Sequence, residues 1–266
     1  MFDSLGEPLQ RSRGDAAIAL DADGSILRLR QAGAAKAMLP RTHGEMPEAV
    51  FLNTSGGLTG GDRLSYAVDL APGGRALATT QTAERAYASV DGPAEMAVRI
   101  SVGAGARLDW LPQETILFDG SALHRQTEID LGAGASCLFC EMLTLGRGAM
   151  GERLTRLDLF DRRVVTRDGV PVFVDPLRLT GFDLYHRGPA GLDGALALAT
   201  IALVEEGAED RLDRLRRILP PEAAASAWDG KLVIRAMADD PHRLRLALAS
   251  ILVHLRGGPM PRVWQV

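Results

Sequence analysis

Four acidic residues are the first candidates for chemistry, because each lies in or beside a short segment that could position a side chain. They are Asp62, Glu114, Asp119 and Glu141. Carboxylate oxygens are hard ligands that suit hydrated divalent cations. Two carboxylates can also act as a general acid and a general base. The sequence does not give their separation in space, so both chemistries stay open.

Asp62 ends the glycine-rich segment Asn53–Asp62, in which four of the six positions from 56 to 61 are glycine. Glycine permits positive φ and a close approach of the backbone. The Gly-Lys-Ser/Thr of a nucleotide-binding phosphate loop is missing, and a strand-like run follows where such a loop would begin a helix. Three interpretations stay open: a phosphate cradle, a structural turn, and a loop that aims Asp62 at a functional surface or channel.

A polar run contains Thr80, Gln81 and Thr82. Hydroxyl and amide side chains on one strand can line a wet interior, since buried polar groups need partners. An edge strand with a polar face is the alternative. Glu141 lies within an apolar strand-like run, so its carboxylate needs a partner or becomes neutral. We take Arg147 as the candidate partner.

The histidines and cysteines form no recognisable metal motif. The histidines are His43, His124, His186, His242 and His254. No two of them are spaced i, i+4 on a predicted helix, so we do not expect an all-histidine metal site. Cys137 and Cys140 are three residues apart in a strand-like run, which puts them on opposite faces. We expect both to be small buried side chains.

The elements that must position these residues are mostly strands. Residues 15 to 175 consist of short runs rich in Val, Ile, Leu and Thr, separated by Gly, Pro and Asp. The predicted strands are Ala16–Leu20, Ile26–Arg30, Ala49–Asn53, Leu64–Leu70, Arg75–Thr82, Ala94–Val102, Arg107–Leu111, Glu114–Phe118, Leu123–Leu131, Ser136–Leu145, Leu154–Phe160, Arg163–Arg167 and Pro171–Leu179. Similar turns recur at Gly73, Gly103 and Gly132, 30 and 29 residues apart. This repetition predicts stacked β layers.

The last ninety residues differ. We predict a strand at Ala195–Val204, an amphipathic helix at Ala208–Leu219 and a strand at Lys231–Ala236. A second helix begins at Asp240-Pro241 and ends near Leu255. The predicted fold is mainly β, with a layered β-sandwich or β-helix-like body at 1–190. A small strand–helix–strand–helix element at 191–266 packs on that body within one domain, 1–266.

Composition narrows the function classes. The formal net charge is −4, which gives no support for a nucleic-acid partner. No apolar run approaches the ~20 residues that span a membrane. The first fifteen residues lack the apolar region of a secretory signal. We therefore expect a cytoplasmic protein.

Four segments together resemble the urease accessory protein UreD family, called UreH in some bacteria. They are NTSGGLTGGDRL, TTQTAERAYAS, LPQETILFDGS and EMLTLGRGAMGE, which occur in this order. The run Pro261–Trp264 also resembles the family's ending. The similarity extends from about Gly33 to Val266 and includes neither cysteine.

This resemblance implies a non-enzymatic factor for urease maturation. Such proteins bind urease apoprotein and UreF, and the complex recruits the GTPase UreG, which delivers nickel. Nickel is thought to pass through an internal water-filled channel. The resemblance makes Asp62, Glu114, Asp119 and Glu141 candidates for a transient nickel path, and makes Thr80, Gln81 and Thr82 candidates for its neutral lining. It implies transient Ni²⁺ and no tightly bound cofactor.

Two other functions stay open. A cupin-like metal-dependent enzyme would use Glu114, Asp119 and a histidine such as His124, and would need its ligands to converge on one ion. A plain interaction module would hold UreF and urease together without any role in metal transfer.

Overall fold

The structure is a computed structural model that describes residues 10–41, 46–185, 188 and 190–265. His43, His186 and residues 1–9, where we expected no secretory signal, lie outside the described residues. Within the described residues the first nine strands are β1 (Arg13–Leu20), β2 (Ile26–Gly33), β3 (Ala35–Met38), β4 (Glu48–Asn53), β5 (Arg63–Leu70), β6 (Arg75–Thr80), β7 (Glu84–Ala86), β8 (Ala94–Val102) and β9 (Arg107–Trp110). The next eight are β10 (Thr115–Leu117), β11 (Ser121–Leu131), β12 (Ser136–Leu145), β13 (Leu157–Arg167), β14 (Val170–Thr180), β15 (Ala197–Val204), β16 (Ala223–Trp228) and β17 (Lys231–Ala238).

The helices are few in the described part of the chain. The α-helices are α1 (Gly181–Tyr185), α2 (Leu212–Arg216) and α3 (Pro241–Arg256), and 3₁₀ turns occupy Gly148–Met150, Ala208–Arg211 and Arg262–Trp264. Among these residues, none of the helices combines the length and the apolar character needed to cross a membrane.

The strands form two facing sheets. The seven-stranded sheet has the order β14-β13-β11-β8-β5-β1-β2. The ten-stranded sheet has the order β16-β17-β15-β12-β9-β6-β4-β3; off this path, β10 pairs with β12 and β7 pairs with β10. Within each sheet the central strands are parallel: β1, β5, β8, β11 and β13 in one, and β4, β6, β9 and β12 in the other. The chain thus passes repeatedly from one sheet to the other, as in a β-solenoid.

The repeated turns stack directly on one another. Each one connects a strand of the seven-stranded sheet to a strand of the ten-stranded sheet. The amide of Gly73 donates to the carbonyl of Ala104 at 2.9 Å, and the amide of Gly105 donates to Ala133 at 2.9 Å. The backbone hydrogen bonds between successive layers therefore continue through the turns. The prediction of a mainly β, layered, β-helix-like fold is confirmed.

Strand β12 lies at the centre of the molecule. One of its faces contributes Cys137 and Phe139 to the core between the two sheets. Its other face contributes Cys140 to a second core, where Leu244 and Leu248 of α3 pack on the ten-stranded sheet. The two cysteines are therefore buried on opposite faces, as the strand periodicity predicted.

The C-terminal strands join the same sheet as the body. Strand β15 pairs with β12, β17 pairs with β15, and β16 forms the edge. Helix α3 covers this region and has the predicted start: the side chain of Asp240 accepts from the amide of His242 at 2.8 Å, and Pro241 follows. Gly257 ends the helix with a φ of 69°.

Several element boundaries differ from the predictions. The helix predicted at Ala208–Leu219 is a 3₁₀ turn followed by the short α2. The two strands predicted at Leu154–Phe160 and Arg163–Arg167 are one continuous strand, β13. Strands β3, β7 and β16 were not predicted. The three-residue β7 pairs with the short β10. Strands β3 and β16 are rich in alanine, and each becomes a strand through pairing at a sheet edge.

Candidate functional site

Glu141 is the predicted acid that lies between the two sheets. Its side chain projects from β12 between the two sheets and is only 1% exposed. Oε1 accepts from the Thr127 hydroxyl at 2.7 Å and from the Trp110 indole at 3.3 Å. Oε2 accepts from Arg163 Nε at 2.7 Å and lies 3.2 Å from Arg125 Nη2. Four donors therefore surround one carboxylate.

Strand register brings these groups together. In the seven-stranded sheet, Arg163 on β13 is the cross-strand partner of Thr127 and of Asp175. In the ten-stranded sheet, Glu141 is opposite Thr200, and Thr200 is opposite Arg235. These two sets of cross-strand neighbours, one in each sheet, face each other across the core. A side chain of either set can therefore bond to the other sheet.

The result is an ionic cluster of six residues. Its members are Arg125, Glu141, Asp161, Arg163, Asp175 and Arg235. Arg125 binds Asp161 through two bonds of 2.9 and 2.6 Å, and Arg163 also contacts Asp161. With three arginines and three carboxylates, the ionic cluster has no net charge. Such neutrality is necessary because an unpaired charge is very costly in an apolar interior.

The charges in the ionic cluster hold one another ionised. Burial disfavours the charged form of Glu141, but Arg125 and Arg163 overcome this effect and hold the pKa of its carboxyl well below the ordinary 4.5. Burial likewise opposes the charge of Arg163, while Asp161 and Glu141 raise the pKa of its guanidinium above the usual range. Glu141 and Arg163 therefore face each other as an ion pair at neutral pH.

The ionic cluster reaches the surface at one end. Arg163 Nη1 donates to Asp175 Oδ2 at 2.8 Å. Arg235 holds the same carboxylate through bonds of 2.8 and 2.5 Å, and also donates to Thr200 Oγ1 at 2.6 Å. The side chain of Arg235 is 51% exposed, whereas that of Arg125 is 3% exposed. The chain of ion pairs therefore runs from the deep interior to solvent.

Two cavities meet at Glu141. The first has a volume of about 30 Å³, room for a few water molecules at most. Its polar lining includes Thr80, Thr82, Glu84, Thr115, Arg125 and Glu141. The second is wider, about 440 Å³. Five leucines, three alanines and Met237 make up most of its lining, and its polar lining residues are Glu141, Arg163, Asp183, Thr200 and Arg235.

The three other predicted acids do not line either of these cavities. Asp62 is buried and accepts from the backbone amides of Ser12 at 2.7 Å and Thr59 at 2.9 Å. It ties the start of β1 to the glycine-rich loop, which favours the structural-turn interpretation of that loop. Gly60 fits this packing, since an added Cβ would lie 1.9 Å from Ser89 Oγ.

Glu114 and Asp119 line neither cavity, and each carboxylate is bonded to a neighbouring part of the chain. Glu114 Oε2 pairs with Arg245 Nη1 of α3 at 2.9 Å. Asp119 accepts from the amides of Thr155 at 2.6 Å and Arg156 at 2.8 Å, and these bonds lower the pKa of its carboxyl. Both carboxylates hold loops or a helix in place in this structure.

The polar run Thr80–Thr82 divides between cavity and surface. Thr80 Oγ1 accepts from the amide of Gln113 at 2.9 Å and lines the first cavity. Thr82 lines the same cavity at an exposed bend. Gln81 is exposed and lies outside that lining. Arg147, the partner suggested for Glu141, instead pairs with Glu152 at 3.0 Å.

The sequence contains a signal for the buried arginines of the ionic cluster. In β11 the inward positions read Ser121, Leu123, Arg125, Thr127, Ile129, and in β13 they read Leu157, Leu159, Asp161, Arg163, Val165. Charged residues at the inward-facing positions of an otherwise apolar strand face indicate buried ion pairs. Glu84 was also missed: it lines the first cavity, and burial raises the pKa of its carboxyl.

The structure lends no support to the cupin-like alternative. In the described ranges, no group of three or more histidine, cysteine or acidic side chains is close enough to hold a metal ion. Glu114 and Asp119 already bind the groups named above, and His124 packs edge-on against Phe160. Burial raises the pKa of the Cys137 thiol to about 12, which disfavours a thiolate ligand.

Comparison with known proteins identifies the relatives of the chain. The family described as "UreD urease accessory protein" matches residues 12–265. A "Urease accessory protein UreD" from Cereibacter sphaeroides (strain ATCC 17025) is 56% identical over 264 residues, covering 97% of this chain and 96% of that protein. Proteins of the same description from Dinoroseobacter shibae and Paracoccus denitrificans are 53% and 49% identical, and they cover 99% and 100% of this chain and 96% and 97% of their own lengths.

Proposed function

Because the chain belongs to the UreD family of urease accessory proteins, and so acts in urease maturation, we propose that it is a non-catalytic scaffold through which nickel passes between its two sheets. The proposed partners are urease apoprotein and UreF, with UreG joining through UreF. Nickel is a transient cargo in this proposal and is not a resident cofactor.

The observation that supports a passage is the meeting of two cavities at one buried carboxylate. Glu141 lines both the first and the second cavity, and it lies between the two sheets. Partly polar spaces that reach one buried carboxylate from two sides are unusual in a close-packed protein. Such a space is suited to the movement of a small cation.

The lining has the chemistry of a transit route. Thr80, Thr82 and Glu84 offer oxygen atoms at the first cavity. Oxygen ligands bind nickel less tightly than thiolate or imidazole groups do. Conduction requires sites that are attractive enough to admit an ion and weak enough to release it. Glu84 is the candidate entry ligand. Its Oε1 accepts from the Arg85 amide at 3.0 Å, but among the described residues its Oε2 accepts only from the Asn53 side-chain amide, at a long 3.3 Å.

A second candidate is a docking scaffold with no metal role. The bonding of Glu141 favours it, because both oxygens of the carboxylate already have two donors. Asp62, Glu114 and Asp119 are similarly occupied by amides or an arginine. On this account the chain would hold UreF and urease in position while nickel travelled elsewhere.

Adjacent residues provide a matched test of the two candidates. Thr82 and Gln81 are both exposed in one bend, but only Thr82 lines the first cavity. We expect Thr82→Trp to lower the nickel content and activity of urease made in cells that carry the variant, because the indole would fill the narrow cavity. Gln81→Trp should leave both at the parental level.

Co-purification with UreF and urease should survive in both variants. Equal nickel content with Thr82→Trp and Gln81→Trp, in intact complexes, would remove the passage and leave the docking scaffold. If urease matured normally in cells without the chain, both candidates would be wrong.

A further inference from the structure

The ionic cluster lies where the two cavities would join. Arg125 lines the first cavity, Arg163 and Arg235 line the second, and Glu141 lines both. The bonds from Glu141 to Arg125 and Arg163 cross the boundary between the sheets. Each cavity therefore reaches the cluster from its own side, and the ion pairs lie between the two.

Both oxygens of Glu141 are engaged in this arrangement. Oε1 accepts from Trp110 and Thr127, while Oε2 accepts from Arg163 and lies in an ion pair with Arg125 at 3.2 Å. A divalent cation could bind Glu141 only after an arginine moved away. The positive charges of Arg125 and Arg163 also repel a cation that arrives from the first cavity. The observed arrangement is thus a closed one.

The deep and outer parts of the cluster are held differently. Arg125 and Asp161 are enclosed, with side chains 3% and 0% exposed. Asp175 is shared: it binds Arg163 on its inner side and Arg235 on its outer side. If Arg235 moves away, Arg163 is the only arginine left to pair with Asp175. Asp175 and Glu141 then compete for the Arg163 guanidinium. The exposed end is therefore coupled to the contact that closes the passage.

We propose that the ionic cluster is a gate between the two cavities, closed in the isolated chain, and that Arg235 is the surface residue through which it is loosened. The inference rests on the proposed passage and concerns its regulation. Opening consists of separating Arg163 from Glu141, which joins the two cavities and frees a carboxylate oxygen for the cargo.

The chain provides a reporter at the gate and a matched control arginine. The Trp110 indole lines the first cavity and donates to Glu141 Oε1, so its hydrogen exchanges faster when opening at Oε2 joins the cavities and admits solvent to this carboxylate. Arg178 pairs with Asp158 at 2.7 Å and is 52% exposed, close to the 51% of Arg235, but it lines neither cavity. The backbone amide of Trp110 serves as an internal reference, because it reports opening of the sheet.

Exchange of the Trp110 indole hydrogen in deuterated buffer, followed by NMR on the full chain, tests the gate. The indole signal is assigned by elimination with Trp228→Phe and Trp264→Phe. We expect Arg235→Met to speed indole exchange about tenfold, the effect of losing one partly exposed charged bond pair. The backbone amide of Trp110 should not follow, and Arg178→Met should match the parent.

Indole exchange in Arg235→Met at the rate of Arg178→Met, or a parallel rise in the Trp110 backbone amide, would overturn the gate. Arg235→Lys keeps the charge but loses the bidentate geometry, so it should give an intermediate exchange rate. It takes the place of Arg235→Met if Arg235→Met does not fold.

The Thr82→Trp experiment distinguishes failure of the gate from failure of the passage. A loss of urease nickel with Thr82→Trp alongside unchanged indole exchange in Arg235→Met refutes the gate alone. The reverse pair of results refutes the passage and leaves the gate as a property of the fold.

Discussion

Replacing Glu141 by glutamine should destabilise the fold more than any other single amide substitution among the four acids first singled out. The amide removes one negative charge and turns one acceptor into a donor that faces guanidinium or indole N–H groups. The buried cluster then holds three arginines against two carboxylates. Breaking a buried ion pair by removing one partner costs about 3–5 kcal/mol. In a chain of this size that corresponds to a fall in Tm of about 6 °C or more.

Urea unfolding followed by circular dichroism measures this cost, with Glu114→Gln as the matched control. Glu114 makes one ion pair, with Arg245, and its side chain is 22% exposed, so its loss should cost about 1 kcal/mol or less. The pH dependence gives a second readout. The lowered pKa of Glu141 means that its contribution is present above the unfolded value of 4.5 and is lost as pH falls toward about 2. In Glu141→Gln this part of the acid sensitivity should disappear. A Glu141→Gln protein as stable as Glu114→Gln would refute the description of the ionic cluster.

Three further predictions concern other buried groups. Asp62→Asn should lower the free energy of unfolding by about 1–3 kcal/mol, because the side chain loses its charge and one of its two acceptor oxygens. Exchange of the Ser12 amide or of the Thr59 amide should become faster. Unchanged exchange at both amides would contradict the role of Asp62 as an anchor. Glu84→Gln should raise the free energy of unfolding at neutral pH, since burial raises the pKa of this carboxyl above 4.5. This gain in stability should fade as pH falls through the raised pKa. A gain in stability that did not change with pH would refute the burial argument. Cys137 and Cys140 should not react with a thiol reagent at pH 8 until the chain is unfolded in denaturant, because both are buried and burial raises the pKa of both thiols. Labelling of the native chain would show that the two cores are open to solvent.

The repeated pattern of strand, glycine turn and strand made the architecture readable from the sequence. Gly73, Gly103 and Gly132 mark turns that stack in the structure, and strands around them were predicted close to their observed bounds. The misses have a physical cause. The alanine-rich β3 and β16 have little strand preference of their own and depend on the neighbour with which they pair.

The candidate site was only partly predictable. The need of Glu141 for a partner followed from its apolar surroundings alone, but the identity of the partner did not. Arg147 is six residues away in sequence, whereas Arg163 reaches Glu141 from the opposite sheet. Strand register decides this contact, and register between distant strands is not visible in one sequence. The same limit explains Asp62, whose partner Ser12 is fifty residues away.

Nickel transfer to urease in the presence of an external chelator tests the central claim most directly. Purified urease apoprotein would be matured with the chain, UreF and nickel-loaded UreG, with a hydrophilic chelator added in excess over nickel. If nickel moves through the interior past Glu141, urease should still gain nickel with the parental chain and should fail to do so with Thr82→Trp. If the chelator abolished nickel uptake with the parental chain as completely as with Thr82→Trp, nickel would be passing through bulk solvent and the internal passage would be wrong.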